Sequence, residues 1–269
     1  MGARVGAGAV EVAHRIDASD SLPADAPTVV LSNSLGATTS MWEAQVAELS
    51  RVARVVRYDT RGHGGSPVVP GPYSIDDLAD DVIALLDRLH LGRVHFVGLS
   101  LGGMTGMRLA ARNPERIDRL VVLCSSPLLE PAQGWLDRAA TVRESGTGAV
   151  ADAVVARWYS PAFLASQTER VQAAVATVSS TPAEGYAGCC EAIATMDLRS
   201  DLPSISAPTL AIAGADDPAT PPLHLELIAS SVQDGHLLVV PESAHLANDE
   251  QPGTITPAIL EHLGLPTSH

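Results

Sequence analysis

The sequence predicts an α/β fold, with a mostly parallel open sheet flanked by helices and an inserted helical cap. Two observations support this class. Short apolar, β-branched segments alternate with helix-like segments over most of the chain, as in proteins built from βαβ units. The alternation stops between about residues 127 and 198, where Ala-rich helical patterns replace strand patterns. We therefore expect a core domain formed by residues 1–126 and 199–269, and a cap formed by residues 127–198.

The candidate strands are of two kinds. The first segment, residues 9–16, alternates apolar and polar side chains, which is typical of an antiparallel edge strand. The later segments are short, apolar and rich in β-branched residues, which is typical of buried parallel strands. These segments are residues 27–34, 53–59, 93–100, 119–125, 208–214 and 236–240.

The clearest helix lies between the second and third of the parallel segments. Its sequence, SIDDLADDVIALLDRLH, begins with Ser74 as a candidate N-cap and places acidic residues in the first turns, where the helix dipole favours them. Apolar residues recur every three or four positions and form one stripe. The stripe consists of Ile75, Leu78, Val82, Leu85, Leu86 and Leu89. This pattern predicts an amphipathic helix.

The charge balance excludes several classes of partner. The chain of 269 residues has 17 Lys and Arg against 31 Asp and Glu, which gives a formal net charge of −14. It has no cluster of basic side chains of the kind that a nucleic acid or an anionic membrane would bind. There is also no apolar run of about 18 residues and no basic-then-apolar leader. We therefore expect a cytoplasmic protein that binds neither nucleic acid nor membrane.

The cysteines and histidines do not indicate a metal site. Cys124, Cys189 and Cys190 are odd in number and include an adjacent pair, so reduced core thiols are expected rather than disulfides. No C-x-x-C or H-E-x-x-H pattern occurs, and the nine histidines are scattered. We expect neither a metal nor a cofactor.

A candidate nucleophile lies where a strand runs into a helix. The sequence RVHFVGLS continues directly into LGGMTGMRLAARN, so Gly98, Ser100 and Gly102 form a G-x-S-x-G pattern at this junction. Such a turn is so tight that only small residues fit two positions on either side of the serine, and it exposes the hydroxyl above the sheet. The alternative interpretation is that Ser100 only caps the helix. The context favours a nucleophilic serine.

An acid and a histidine follow in the expected order. A serine hydroxyl becomes a strong nucleophile only when a base removes its proton, and the base needs an orienting carboxylate. Asp216 and Asp217 come directly after the strand segment 208–214. His245 comes soon after the segment 236–240. Because active sites assemble at the strand ends on one rim of an open sheet, these residues are candidates for the acid and the base.

Two other histidines compete with His245. His224 lies inside a helix-like segment, and His236 lies ahead of its strand. Neither position is a strand end, so His245 is the better candidate. The alternative for His245 is a histidine on a surface loop.

The oxyanion formed during ester hydrolysis needs two backbone N–H donors. One is expected from Leu101, which follows the candidate nucleophile and begins a helix. The other is expected from residues 33–36, Asn-Ser-Leu-Gly, which form a bend after a strand.

A glycine-rich segment, residues 58–66, follows the second parallel strand. It matches neither G-x-x-x-x-G-K-S/T nor G-x-G-x-x-G, so it is not expected to bind phosphate. We interpret it as a structural loop in which Arg61 makes internal hydrogen bonds. The functional alternative is that Arg61 attracts a substrate carboxylate.

Taken together, these segments resemble the α/β-hydrolase fold and, more closely, the 3-oxoadipate enol-lactonase family of aromatic catabolism. The resemblance covers nearly the whole chain. It rests on LSNSLGATTSMWEAQ, RYDTRGHGGSP with the following GPYSIDDLADDV, HFVGLSLGGM and AGADDPATPP, and in the cap on YAGCCEAIATMDLRSDLPSI. Asn33 and Ser34 replace the His-Gly of many α/β hydrolases, and this departure is itself similar to the enol-lactonase family.

The resemblance implies a role for each candidate residue. Ser100 would be the nucleophile and His245 the general base and acid. Asp217, at the fourth position of the family's Gly-x-x-Asp pattern, would orient His245, with Asp216 as the alternative. The backbone N–H of Leu101 and that of Leu35, placed by counting back from Trp42, would bind the oxyanion.

The resemblance also implies the reaction, which is hydrolysis of 3-oxoadipate enol-lactone to 3-oxoadipate in the β-ketoadipate pathway, without a cofactor. The expected partner is a small lactone or ester that carries a negative charge. Because the protein is itself strongly negative, a local cation has to hold the substrate carboxylate. The candidates are Arg61, Arg138 and Arg157, each of which could equally be a surface charge. Trp135 and Trp158 are candidate pocket walls, or else packing residues of the cap.

Three alternatives remain open from the sequence. The first is a general carboxylesterase or a cofactor-free perhydrolase, since such enzymes share the same three side chains. The second is a hydrolase of another lactone or ester in a biosynthetic route. The third is a receptor with a hydrolase fold that binds a ligand without turning it over.

Overall fold

The computed structural model describes residues 8–267. In this part of the chain, strands form a single seven-stranded sheet with the order β1-β3-β2-β4-β5-β6-β7. The strands are β1 (His14–Asp17), β2 (Thr28–Ser32), β3 (Arg54–Tyr58), β4 (Val94–Leu99), β5 (Ile117–Leu123), β6 (Thr209–Gly214) and β7 (Gly235–Val240). The six predicted parallel strands are all present, with ends that differ by up to two residues.

The sheet is parallel except at one edge, where β1 pairs antiparallel with β3. The prediction of an antiparallel edge strand is confirmed, but its bounds are wrong. Residues 9–13 do not join the sheet. The Val10 N–H donates to Asp81 Oδ1 at 2.7 Å and the Ala13 N–H donates to Ser66 Oγ at 2.8 Å. These side-chain acceptors replace the strand hydrogen bonds.

The described residues form eleven α-helices in addition to the sheet. They are α1 (Glu43–Leu49), α2 (Ile75–Arg88), α3 (Leu101–Arg112), α4 (Ala132–Ser145), α5 (Gly148–Val155), α6 (Pro161–Ser166), α7 (Thr168–Ser180), α8 (Ala183–Thr195), α9 (Pro222–Ser231), α10 (Ala247–Glu250) and α11 (Pro252–Leu263). Helix α2 begins as predicted at Ser74, whose hydroxyl accepts from the Asp77 N–H while Asp77 accepts from the Ser74 N–H. This reciprocal capping satisfies two of the free N–H groups at the helix start.

Helices α4 to α8 all lie between β5 and β6 in the chain, inside the predicted cap of residues 127–198. We call residues 127–198 the helical insertion. Helices α4 and α8 are joined by Arg143, whose guanidinium lies 2.7 Å from Glu184 and 2.6 Å from Glu191. The division of the chain into a core domain and a cap stays a prediction.

The core lies on both faces of the central strands. Every residue of β2, β4 and β6 is buried, as expected for parallel strands covered by helices on both faces. Since parallel strands end at the same edge, the segments after β2, β4, β6 and β7 can meet there. No helix within residues 8–267 is both long enough and apolar enough to cross a membrane.

Candidate active site

Ser100 occupies a strained turn between β4 and α3. Its backbone has φ 56° and ψ −114°, a conformation that non-glycine residues rarely adopt. A Cβ atom at Gly98 would overlap the backbone of Gly102, and one at Gly102 would overlap the carbonyl of Ser32. The two glycines of the G-x-S-x-G pattern are therefore required by backbone contact, as the sequence predicted.

Hydrogen bonds fix the Ser100 backbone. Its N–H donates to the Leu123 carbonyl at 2.9 Å. Its carbonyl accepts from the Met104 N–H at 2.9 Å and from Ser125 Oγ at 2.8 Å. Because these contacts hold the main chain on both sides of the residue, they maintain the strained conformation and present the side chain at the edge of the sheet.

His245 is hydrogen-bonded to Asp217. The distance from His245 Nδ1 to Asp217 Oδ2 is 2.8 Å, and both residues are buried. An ionised carboxylate only accepts hydrogen bonds, so Nδ1 carries the proton and Nε2 is left as an acceptor. Asp216, the alternative acid, is exposed. The geometry therefore brings His245 together with Asp217.

Asp217 accepts further hydrogen bonds that hold its charge. Its Oδ1 accepts from the N–H groups of Ala219 at 2.8 Å and Thr220 at 3.1 Å, and its Oδ2 accepts from Thr220 Oγ1 at 2.6 Å. Burial by itself raises the pKa of this carboxyl, but the charge of His245 and the hydrogen bonds from His245 and Thr220 outweigh burial and lower it below the usual value. The carboxylate stays ionised at neutral pH.

Ser100 and His245 line one cavity of about 310 Å³. Among the hydrogen bonds of residues 8–267 there is none between the Ser100 hydroxyl and His245, although catalytic hydrogen bonds are often long before substrate binds. The other competing histidines lie elsewhere. His224 is in α9, and His236 is in β7 rather than ahead of it, with an exposed side chain.

The backbone N–H groups of Leu35 and Leu101 have no protein acceptor within the described residues. Leu35 lines the cavity, and Leu101 follows Ser100 at the first position of α3, where the helix leaves its N–H groups unpaired. The assignment of these two N–H groups as oxyanion donors stays a prediction. They can bind a negative oxygen that forms next to Ser100.

The helical insertion supplies the rest of the cavity wall. Trp135, Trp158, Arg138 and Arg157 all line it. The Arg138 guanidinium lies over the Trp135 ring, 4.5 Å from its centroid. Four of the five residues named as substrate-binding candidates are therefore at the cavity.

Arg61 is the fifth candidate, and its assignment to substrate binding is wrong. Its side chain is fully buried away from the cavity, with Nε 2.6 Å from Asp81 Oδ2 and Nη2 2.6 Å from Asp81 Oδ1. Nη2 also donates to the Asp77 carbonyl at 3.0 Å. This ion pair leaves no charge for a substrate, which agrees with the structural interpretation of the loop.

Arg138 and Arg157 differ from Arg61 in their ion pairing. Neither forms an ion pair with a carboxylate in the part of the chain described. Partial burial and the positive charge of Arg138 both lower the pKa of Arg157. Glu130 is the acidic residue among the lining side chains. Two neighbouring unpaired cations repel each other, and a bound anion relieves that repulsion.

Three residues of the site were missed from sequence. Thr220 braces Asp217 as described above. The Tyr186 hydroxyl is buried at the cavity and has no hydrogen-bond partner among the described residues. Glu250 accepts from the Ala244 N–H at 2.5 Å and from the Ser160 hydroxyl at 2.6 Å. Only Thr220 had a local signal, because it follows the acid by three residues.

Glu250 belongs to a junction between the helical insertion and the loop that carries His245. The Leu246 N–H donates to the Trp158 carbonyl at 2.8 Å, directly beside His245. Together with Glu250, this bond ties residues 158–160 of the insertion to residues 244–246. These contacts connect the insertion directly to the loop that carries His245.

No three His, Cys, Asp or Glu side chains within residues 8–267 are grouped in a way that could hold a metal ion.

The fold and the site define a class of protein. A family model described as alpha/beta hydrolase fold matches residues 27–252. The predicted fold class is thus confirmed, and the chain is an α/β hydrolase.

Comparisons with individual proteins narrow the class. The chain is 42% identical over 236 residues to 3-oxoadipate enol-lactonase 2 of Acinetobacter baylyi, covering 88% of each protein. It is also similar to the crystal structure of the enol-lactonase from Burkholderia xenovorans LB400, with a TM-score of 0.91, 38% identity, and coverage of 95% of this chain and 97% of that one. A protein of Stutzerimonas stutzeri whose name describes it as a carbamate hydrolase, RutD, is 31% identical over 244 residues. This match covers 89% of this chain and 92% of that protein.

These likenesses confirm the resemblance inferred from the sequence motifs. The chain belongs to the 3-oxoadipate enol-lactonase family of α/β hydrolases. It is a carboxylic ester hydrolase that acts on a small ester or lactone.

Proposed function

We propose that this enzyme opens the lactone ring of 3-oxoadipate enol-lactone to give 3-oxoadipate, as a step of the β-ketoadipate pathway of aromatic catabolism. The observation that carries the proposal is the hydrogen bond of His245 to Asp217 at a cavity lined by Ser100 and by two arginines that have no carboxylate partner among residues 8–267. The named activity of the relative from Acinetobacter baylyi supports the choice of lactone.

Ser100 is the proposed nucleophile and His245 the proposed base. His245 Nε2 takes the proton of the Ser100 hydroxyl while Oγ attacks the lactone carbonyl. The carbonyl oxygen becomes an oxyanion, and the N–H groups of Leu35 and Leu101 stabilise it. Asp217 keeps the proton on Nδ1 and stabilises the imidazolium that forms.

Collapse of the tetrahedral intermediate breaks the ring C–O bond. His245 returns its proton to the leaving enol oxygen, which stays attached to the acyl group on Ser100. Conversion of this enol to the ketone removes the oxygen nucleophile that could close the ring again. His245 then deprotonates a water molecule, which attacks the acyl carbon. The bond from that carbon to Ser100 Oγ breaks, His245 returns the proton to Oγ, and the product leaves with its second carboxyl group.

The free carboxylate of the lactone is the proposed ligand of Arg138 and Arg157. Both lie on the cavity wall without a carboxylate partner among residues 8–267, so an anion can take that place. Trp135 and Trp158 supply apolar walls for the carbon skeleton. In an enzyme with a net charge of −14, these two cations provide local attraction for an anionic substrate.

A second candidate function is hydrolysis of a different ester, lactone or carbamate by the same residues. The likeness to the protein of Stutzerimonas stutzeri named for carbamate hydrolysis favours it. The attack by Ser100 would be of the same kind, while the acyl group transferred to Ser100 and the leaving group would differ.

The test compares kcat/KM for 3-oxoadipate enol-lactone with kcat/KM for p-nitrophenyl acetate, using Ser100→Ala as the blank. The proposal predicts a preference for the lactone of at least about 100-fold, which corresponds to roughly 2.7 kcal/mol of transition-state stabilisation. Equal values would assign the enzyme to general ester hydrolysis. Hydrolysis of a carbamate at a higher kcat/KM than the lactone would favour the second candidate.

A further inference from the structure

His63 is a buried histidine behind the cavity, outside the set of residues that line it. It lies in the glycine-rich loop after β3. Both of its ring nitrogens are within hydrogen-bond distance of backbone groups. Nε2 lies 3.0 Å from the Gly36 nitrogen, and Nδ1 lies 3.2 Å from the Arg61 carbonyl oxygen. Because Gly36 N–H can only donate and the carbonyl can only accept, Nδ1 carries the proton and the ring is neutral.

The partner of His63 is the central peptide of a tight turn. The Ala37 N–H donates to the Ser34 carbonyl at 3.1 Å, and Gly36 has φ 79°. A positive φ at the third residue is the mark of a type II turn, whose central peptide is flipped relative to a type I turn. The hydrogen bond from Gly36 to His63 Nε2 stabilises the flipped peptide.

The same turn aims the proposed oxyanion donor. In a trans peptide the C=O and N–H point in opposite directions. The Ser34 carbonyl is directed into the turn by its bond to Ala37, so the Leu35 N–H of the same peptide points the other way, where it has no acceptor among the described residues. Whatever holds the turn therefore holds the direction of the Leu35 N–H.

The loop that carries His63 is rigidly supported. Arg61 is anchored by its buried ion pair with Asp81. Asp59 accepts from the N–H of Thr39, just beyond the turn, at 2.9 Å and from the N–H of Gly65 at 3.0 Å. The His63 ring also stacks against Tyr186, with centroids 6.5 Å apart. Burial lowers the pKa of His63, which agrees with a neutral ring.

We infer that His63 is a positioning residue for ester hydrolysis: its neutral ring holds the turn of residues 34–37 so that the Leu35 N–H faces the oxyanion formed at Ser100. The inference rests on the proposed function of Ser100 and Leu35. It gives the glycine-rich loop a role in the reaction without contact with substrate.

The experiment compares two variants of similar size. His63→Phe keeps the volume and the aromatic stacking but removes the acceptor, whereas His63→Gln offers a carbonyl oxygen as a replacement acceptor. His95→Phe is the control, since His95 is also buried but lies on β4 beside Asp118, away from the cavity. If His63→Phe fails to fold, His63→Ala takes its place.

Each variant is measured for kcat/KM with p-nitrophenyl acetate and for inhibition by phenylboronic acid, which forms a tetrahedral adduct with a reactive serine. Competitive inhibition by 3-oxoadipate reports ground-state binding. We expect His63→Phe to lower kcat/KM and boronate affinity by about 10- to 100-fold, less than the roughly 10²- to 10³-fold effect of losing an oxyanion donor outright. Inhibition by 3-oxoadipate stays unchanged, and His63→Gln recovers most of the loss.

A structural role alone predicts a different pattern. If His63→Phe and His63→Gln are equally impaired, if boronate affinity does not fall, or if His95→Phe has the same effect, the inference is overturned. If wild type binds the boronate but does not hydrolyse the lactone, the proposed substrate is wrong and the comparison of the His63 variants still holds. If the Ser100→Ala variant binds the boronate as tightly as wild type does, Ser100 is not the nucleophile and the inference about His63 is overturned as well.

Discussion

The two sides of the cavity are built in different ways. The core side, formed by the segments after β2, β4, β6 and β7, carries Ser100, Leu35 and His245. Backbone hydrogen bonds, a strained turn and a buried carboxylate hold these groups. The insertion side carries Arg138 and Arg157, whose charges have no carboxylate partner within residues 8–267.

The difference indicates that the core side is built for the reaction and the insertion side for substrate binding. Groups that have to meet the reacting atoms are fixed to a fraction of an ångström by the main chain, because a small misplacement is costly in rate. The groups proposed to attract a substrate are long side chains of the insertion, Arg138 in α4 and Arg157 just after α5. Their charges have no carboxylate partner within residues 8–267 and can bind an anion. We therefore expect changes on the core side to reduce kcat and changes on the insertion side to change substrate preference.

The largest effect is expected from Ser100→Ala. Removing the hydroxyl removes the bond-forming atom, so kcat should fall by about 10⁴-fold or more while the fold is kept. Lactone hydrolysis by a purified variant measures the loss, and circular dichroism checks the fold. Activity above a few per cent of wild type would show that the core side does not work through Ser100.

Asp217→Asn should follow in size. Asn cannot stabilise an imidazolium and can turn the His245 ring into the wrong tautomer, so we expect kcat to fall by about 10²- to 10⁴-fold. Asp216→Asn is the matched control, because Asp216 is exposed and adjacent. Steady-state kinetics of both variants give the two kcat values to be compared. The reverse order of damage would transfer the acid role to Asp216.

Glu250→Gln tests the junction between the two sides. The variant can no longer accept at two carboxylate oxygens from Ala244 and Ser160, so the His245 loop should loosen. We expect kcat to fall by about 10-fold, the scale of one lost hydrogen bond to a charged group. Glu261→Gln, an exposed glutamate in α11, should leave kcat unchanged. Equal activity of the two variants would mean that the sides are independent.

The smallest effect concerns the pH dependence of stability. The pKa of Asp217 lies below its ordinary value of 3.8, so the ionised carboxylate contributes stability that is fully present above that value and is lost as the pH falls through the folded-state pKa. The free energy of unfolding of wild type, measured with urea, should therefore fall relative to that of Asp217→Asn as the pH is lowered from about 5 to about 3. A wild-type advantage that grows on acidification would contradict this account of the carboxylate.

The core side was largely predictable from sequence, because its geometry is encoded by local patterns. The G-x-S-x-G pattern at a strand-to-helix junction marks the tight turn at Ser100, and parallel strand ends share one edge. Asp217 and His245 follow strands, so their meeting could be expected without knowing any long-range packing. The fold class and the family are confirmed. The catalytic roles of these residues stay predictions.

The insertion side was predictable only as a set of candidates. Which arginine faces the cavity depends on how α4 to α8 pack, and no short pattern encodes that packing. The sequence favoured internal hydrogen bonds for Arg61 but left substrate binding open, because its partner Asp81 lies 20 residues away in α2. Tyr186 was missed because it reaches the cavity only through the packing of the insertion. Glu250 was missed because its bond to Ser160 joins residues that are far apart in the sequence.

The most direct test of this difference between the two sides uses two chromogenic esters that differ only in a carboxylate, mono-p-nitrophenyl succinate and p-nitrophenyl butanoate. We would measure kcat/KM for both with wild type and with the double variant Arg138→Met, Arg157→Met. The account predicts that wild type prefers the anionic ester by about 10-fold or more, and that the double variant loses this preference while its kcat/KM for the neutral ester is unchanged. An unchanged preference in the double variant would show that the insertion side does not select the anion.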